Sequence, residues 1–142
     1  KQHIFDLSIS AWENYKQSLP SLADAWIESA KRIGSEMAVA DTTASPLSAT
    51  DMLVKSIVLS QQISKVSDTQ NIGILLPTSS LAVQINMAGL LSGKTLVNLN
   101  YMDNAKLFDE VVSRSGVSVI YTSQSFPVRY TVPLNKAMVL FS

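Results

Sequence analysis

Three short stretches hold the residues whose types and spacing could do chemistry. They are Pro77-Thr78-Ser79-Ser80, Asn100-Tyr101-Met102-Asp103 and Thr122-Ser123-Gln124. Each places small hydroxyl or amide groups just beyond an apolar run that reads as a β-strand. In open α/β sheets, ligands are held at the carboxyl ends of the strands, where backbone N–H groups at the start of the next helix also point outward. Thr78, Ser79, Asn100, Tyr101, Thr122 and Ser123 are therefore the candidate substrate-side residues. A plainer reading competes for the first stretch. Thr78 or Ser79 need only cap the helix that follows, which requires nothing beyond what is visible.

Phosphate chemistry is poorly served by these stretches. A phosphate loop needs glycines that bring N–H groups onto the anion and a lysine that reaches it. The stretch GILLPTSS has no glycine after Gly73, which lies inside the strand, and no lysine. The dinucleotide pattern G-x-G-x-x-G is missing too. The sole histidine, His3, lies near the terminus, where a solvent-exposed side chain is the plain expectation. Serines are plentiful, but none sits in a G-x-S-x-G elbow. Asp109 and Glu110 fall on the outer side of an expected helix, and Asp41, Asp51 and Asp68 fall at turns and caps, so no metal-spaced cluster arises. Trp12 and Trp26 read as packing residues rather than ligand stackers. From the residues alone, the chain has no complete catalytic apparatus, and neither a catalytic nor a metal-binding residue is assigned.

The elements that must position these loops follow from periodicity. Residues 1–20 read as an arm or short helix with Ile4, Phe5, Leu7, Ile9, Trp12 and Tyr15, ended by Pro20. Ser21 caps a helix over 21–33, and Gly34 stops it. A short strand over 36–41 and the turn-rich DTTASPLS suggest a hairpin. The next helix, about 49–65, presents Leu53, Val54, Ile57, Val58 and Ile63 as its expected apolar face. NIGILLP (71–77) is a continuous apolar strand of the kind buried inside a parallel sheet. The helix at about 80–92 is apolar on nearly every side, broken by Gln84, Asn86 and Ser92. TLVNLN (95–100) is the next strand. Asp103 or Asn104 then caps a helix with the stripe Leu107, Phe108, Val111 and Val112, which Gly116 ends, and VSVIYTS (117–123) is a further strand. From residue 71 the order is β-α-β-α-β. Helices of this length between strands predict a partial doubly wound, mainly parallel α/β sheet with flanking helices. The last stretch, broken by Pro127 and Pro133, reads as an edge strand or as a tail with no proper partner.

Bulk properties narrow the classes. With 142 residues, 46% hydrophobic and 15% charged, the chain can bury a core and is too apolar for disorder. Eleven basic and eleven acidic side chains give no basic field that would recruit nucleic acid or anionic lipid. No cysteine is present, so disulfides and thiolate sites are excluded. No run approaches the about 18 apolar residues of a membrane span. The start has neither an initiator Met nor the basic-then-apolar pattern of a signal peptide, so the chain reads as an excised piece or a processed product.

The order of motifs resembles the start of an adenylate-forming (AMP-binding) acyl synthetase. The likeness runs through SLADAWIESAKRIGSEMAVAD, SATDMLVKSIVLSQQI, NIGILLPTSSLAVQINMAGLLSGKTLVNLNY and SGVSVIYTSQSF, covering roughly residues 21–126. Within the family the nearest resemblance is to acyl-acyl-carrier-protein synthetases. In some bacteria these follow an acyltransferase module and re-esterify lysophospholipid as 2-acylglycerophosphoethanolamine acyltransferases. The resemblance implies the N-terminal subdomain of that enzyme fold, with an arm at 1–20 and an atypical tail at 127–142. It implies an ATP- and Mg²⁺-dependent ligase that passes an acyl-adenylate to acyl carrier protein or coenzyme A. It further implies a cytoplasmic location, or the cytoplasmic face of the inner membrane. The family's ATP loop, its acidic and ribose-binding motifs and its lid lysine have no counterpart in this sequence. No catalytic residue carries over, no cofactor is expected in this fragment, and activity is expected to need the remainder of the synthetase. A second reading is a non-catalytic α/β interaction module that forms a homo-oligomer through its apolar surface or an open sheet edge.

Overall fold

The computed structural model describes residues 2–42, 44–66, 68–100, 102, 104–124 and 137–141. In chain order the elements are α1 (Gln2–Ser18), α2 (Leu22–Ile33), β1 (Met37–Val39), β2 (Leu47–Ser48), α3 (Ala49–Val66), β3 (Asn71–Ile74), α4 (Ser80–Leu91), β4 (Thr95–Asn98), α5 (Ala105–Arg114), β5 (Val119–Ser123) and β6 (Ala137–Phe141). Strands β1 and β2 form the small antiparallel hairpin that the turn chemistry suggested. The other four form one sheet in the order β4-β3-β5-β6, and every pairing in it is parallel.

Handedness explains how the helices are distributed. The chain steps from β3 to β4 through α4, then back past β3 to β5 through α5. Right-handed crossovers that run in opposite directions must lie on opposite faces. Packing follows this rule. Ile72, Ile74 and Leu76 face Ile85 and Ala88 of α4, together with Ile63 of α3. Leu75 faces the other side, with Phe108 and Val112 of α5 and with Val117 and Ile120. Both faces of the central strand are thus buried, which is why its sequence is apolar without alternation. Close approach is helped by Gly89 in α4. A Cβ there would collide with the Leu96 side chain and sit 3.3 Å from Ile72 Cδ1.

The helix ends are set locally. The hydroxyl of Ser21 accepts the Asp24 N–H, that of Ser79 accepts the Ala82 N–H, and the Asn104 amide oxygen accepts the Leu107 N–H. Asn104 is therefore the cap of α5, of the two candidates Asp103 and Asn104. Gly34 ends α2 at φ +66°, a backbone angle that side chains resist, and donates its N–H to Ala30 O.

Two expectations change. The apolar face of α3 is rotated. Of the expected face Ile63 is buried and Leu53 half-buried, but Val54, Ile57 and Val58 are exposed (54%, 41% and 52%), and Ala49, Met52 and Ser56 are buried in their place. The reason is the neighbouring helix. Ser92, the C-cap of α4, donates its hydroxyl to Ser60 O at 3.0 Å, and Ile63 and Leu59 on that side pack against Ile85 and Ala88 of α4. Leu107 lies at the margin of the α5 stripe and is 43% exposed, whereas Phe108 and Val112 are buried and Val111 packs against them. Of the two readings of the last stretch, residues 137–141 take the edge-strand one, as β6 paired with β5. The arm forms a continuous helix, α1, whose side chains from residue 3 onward are exposed.

Candidate functional site: the carboxyl edge of the parallel sheet

Backbone pairing continues beyond the end of β3 and holds three strand ends together. The Leu75 N–H donates to Tyr121 O at 2.9 Å, and the Leu99 N–H donates to Ile74 O at 2.8 Å. The end of β3 is therefore clasped between the ends of β4 and β5. The connections leaving β3 and β4 go to opposite faces, so the switch in topology that favours a ligand crevice falls at this edge.

The candidate residues divide into those used internally and those left at the surface. Ser79 has extended backbone (φ −158°, ψ 165°), and its hydroxyl both accepts the Ala82 N–H and donates to Pro77 O, each at 3.2 Å. Capping is the role the geometry gives it. Thr78 is exposed beside it. Thr122 is fully buried, and its Oγ1 donates to Leu75 O at 2.7 Å, so this hydroxyl ties β5 to the end of β3. Ser123 is half-buried at the last register position, opposite Phe141. Asn100 is exposed, and its Oδ1 accepts the Met102 N–H at 3.0 Å, a local turn that shapes the loop after β4. Tyr101 lies outside the described residues. The fold thus brings the 77–79 turn, the 99–100 loop and the end of β5 to one edge.

A groove of about 550 Å³ runs from the turn along α4 to β4. Pro77, Thr78 and Ser79 form one end. Leu76, Met87, Leu90 and Leu96 give it apolar walls, and Leu22 of α2 contributes from across the opening. Two amides meet in it: Asn98 Nδ2 donates to Asn86 Oδ1 at 3.2 Å, and Asn86 Nδ2 donates to Asn98 Oδ1 at 3.4 Å. Among the described residues, no titratable side chain lines the groove. It is suited to holding an apolar group beside an amide, not to proton transfer. Sequence reasoning missed this pair, although Asn86 had been visible as a polar break in an apolar helix. A smaller cavity of about 220 Å³ lies between the end of α3 and β5–β6, lined by Ile63, Val66, Tyr121 and Val139. Burial pushes the Tyr121 phenol above its ordinary pKa of 10.0, so it stays neutral.

Asp41 was also missed as part of this edge. Its carboxylate accepts the Ser80 N–H through Oδ2 and the Ala44 N–H through Oδ1, the latter at 2.8 Å. Among the described residues no group of three or more His, Cys, Asp or Glu side chains could hold a metal ion. Also among the described residues, no helix is long and apolar enough to cross a membrane.

No protein-family model matches the sequence, and no curated protein matches it. Solved structures do match. A nonribosomal peptide synthetase, FmoA3, in its α-methyl-L-serine-AMP bound form superposes with a TM-score of 0.75 at 11% identity, over 84% of this chain and 14% of that one. The N-terminal subdomain of Klebsiella oxytoca NpsA in complex with 3-hydroxybenzoyl-AMSN gives 0.71 at 15% identity, over 86% and 30%. Holo-AB3403, a four-domain nonribosomal peptide synthetase bound to AMP and glycine, gives 0.73 at 13% identity, over 84% and 9%. The chain therefore spans less than a third of each of these structures. At such identities the likeness establishes the fold: a parallel α/β sheet with flanking helices that matches the N-terminal subdomain of adenylate-forming enzymes.

Proposed function

We propose that this chain is the N-terminal part of an ATP-dependent ligase that activates fatty acids as acyl-adenylates and passes them to a thiol. One observation carries the reading: the sheet and its crossovers match the N-terminal subdomains of adenylate-forming proteins over most of the chain. The motif order from residue 21 to 126 supports the fatty acyl branch of that chemistry. In the proposed reaction a carboxylate oxygen attacks the α-phosphorus of ATP, and the bond to pyrophosphate breaks. The thiol sulfur of acyl carrier protein or coenzyme A then attacks the acyl carbon, AMP leaves and the thiol proton passes to solvent. This chain would contribute a wall rather than reacting groups, in keeping with a groove that has apolar sides, one amide pair and, among the described residues, no titratable lining. Thr78, Asn100, Tyr101 and Ser123 are the proposed substrate-side residues, with Ser79 and Thr122 shaping the loops that carry them. The remainder of the synthetase would be the physical partner, in the cytoplasm or on the cytoplasmic face of the inner membrane. Zero net charge gives nucleic acid no foothold.

Two measurements test this. ATP–pyrophosphate exchange by the complete gene product should depend on long-chain fatty acids; exchange driven only by amino or aryl acids would refute the fatty acyl assignment. Calorimetry of the 142-residue chain with MgATP should show no tight binding, and tight Mg-dependent binding would overturn the claim that the nucleotide machinery lies elsewhere.

A second reading has its own observation. Helix α1 exposes Phe5, Ile9, Trp12 and Tyr15 on one side, while Asp6, Ser10 and Gln17 lie on the other. As an interaction module, the chain would cover that stripe by self-association.

A further inference from the structure

We propose that Asp41 is a built-in anion that closes the amino-terminal end of α4, so the Pro77–Ser80 turn holds this chain's own β1–β2 loop and not a free oxyanion. The proposal does not rest on the acyl-activation reading. The start of a helix presents N–H groups without intrahelical acceptors and a partial positive charge, both of which favour an anion. In α4 these needs are met from two sources. Ser79 supplies its hydroxyl to the Ala82 N–H and its carbonyl to the Val83 N–H. No acidic residue stands in the first turn. The negative charge comes instead from Asp41, 39 positions away, whose Oδ2 accepts the Ser80 N–H.

The same carboxylate faces both ways. Oδ1 accepts the Ala44 N–H and shapes the loop between β1 and β2 into a turn, while Oδ2 reaches the helix. One side chain thus straps the hairpin loop across the turn that sequence position marks as a ligand loop. An incoming phosphate or carboxylate would have to displace Asp41 and release the strap with it. A charge-assisted hydrogen bond to the amide of buried Ser80, joined to the covalent tether of its own loop, outcompetes a dilute free anion because the tether raises its effective concentration.

The test is an amide chemical-shift titration of the full chain with sodium formate and with inorganic phosphate, against sodium chloride at equal ionic strength. In the native chain the Ser80 amide should show no saturable response. In Asp41→Ala it should shift saturably with formate, and formate should raise the melting midpoint more than chloride does. A native Ser80 amide that responds to phosphate as strongly as the variant's would overturn the proposal. So would a variant whose Ser80 amide ignores both anions. Asp41→Asn covers the case in which the alanine variant does not fold. It keeps the size and one acceptor but removes the charge, so Ser80 should exchange its amide proton about tenfold faster while the middle of α4 is unchanged. Unchanged Ser80 exchange in Asp41→Asn would also refute the strap.

Discussion

Gly89 shows how a missing side chain sets the position of an element. Alanine is the better helix former by about 1 kcal/mol, so Gly89→Ala would stabilise α4 if the helix stood alone. In the fold, the added methyl collides with Leu96 and crowds Ile72. Overpacking of this kind costs about 1–3 kcal/mol, and because the Leu96 Cγ and Ile72 Cδ1 both lie 3.3 Å away, turning the Leu96 tip aside relieves only part of it, so the cost outweighs the propensity gain. Gly89→Ala is expected to lower the midpoint of thermal unfolding, and an unchanged or raised midpoint would show that α4 can shift outward freely. Asp51 makes a different residue-scale point. It forms a reciprocal cap with Ser48: the Ser48 hydroxyl donates to Asp51 Oδ2 at 2.7 Å and accepts the Asp51 N–H at 3.1 Å. That hydroxyl, then the Ser48 N–H and the Lys55 charge, hold the Asp51 carboxyl below its ordinary 3.8. A depressed carboxyl contributes stability above its unfolded value, and that contribution is lost as pH falls through the folded value. Urea midpoints should therefore hold down to about pH 4 and fall below it, with the fall shallower in Asp51→Asn.

At the scale of elements, the carboxyl edge depends on β5 staying beside the end of β3. Thr122 is the side chain that ties them, beyond the last ladder pairing of β3 with β5. Thr122→Val keeps the shape but leaves the buried Leu75 carbonyl without that donor, at a cost of about 1 kcal/mol or more. Denaturant unfolding should show that loss, with the m-value unchanged. Helix α3 shows where element-level reading of a sequence fails. It has apolar residues on both sides, so periodicity alone could not separate Val54, Ile57 and Val58, which face outward, from Leu53 and Ile63, which face inward beside Met52 and Ser56. The choice fell to the side that packs Ile63 and Leu59 against Ile85 and Ala88 of α4. By contrast, α5 has one apolar stripe and a capping asparagine, and its sequence predicted its inward face apart from Leu107.

For the whole molecule, the question is what covers the apolar surface. Helix α1 leaves Phe5 and Trp12 exposed at 59% and 57%, and α3 adds Val54, Ile57 and Val58. Patches of this kind on a chain without net charge favour association. If α1 is the contact, sedimentation equilibrium should show self-association that rises with concentration, and Trp12→Gln should weaken it. A strict monomer at high concentration would count against the interaction-module reading and leave the acyl-activation reading intact.

Local order was legible in the residues. The β-α-β-α-β succession, the caps at Ser21, Ser79 and Asn104 and the doubly buried central strand β3 all follow from short-range spacing and capping chemistry, which act within a few residues. The tertiary structure decided what depends on distant partners. It set the strand order β4-β3-β5-β6, the side of α3 that turned inward, the pairing of Asn86 with Asn98 and the reach of Asp41 to Ser80. The physical reason is that a hydrogen bond or a packed contact between residues tens of positions apart leaves no periodic trace. Asp41 looks like any turn aspartate until the fold sets it against the start of α4.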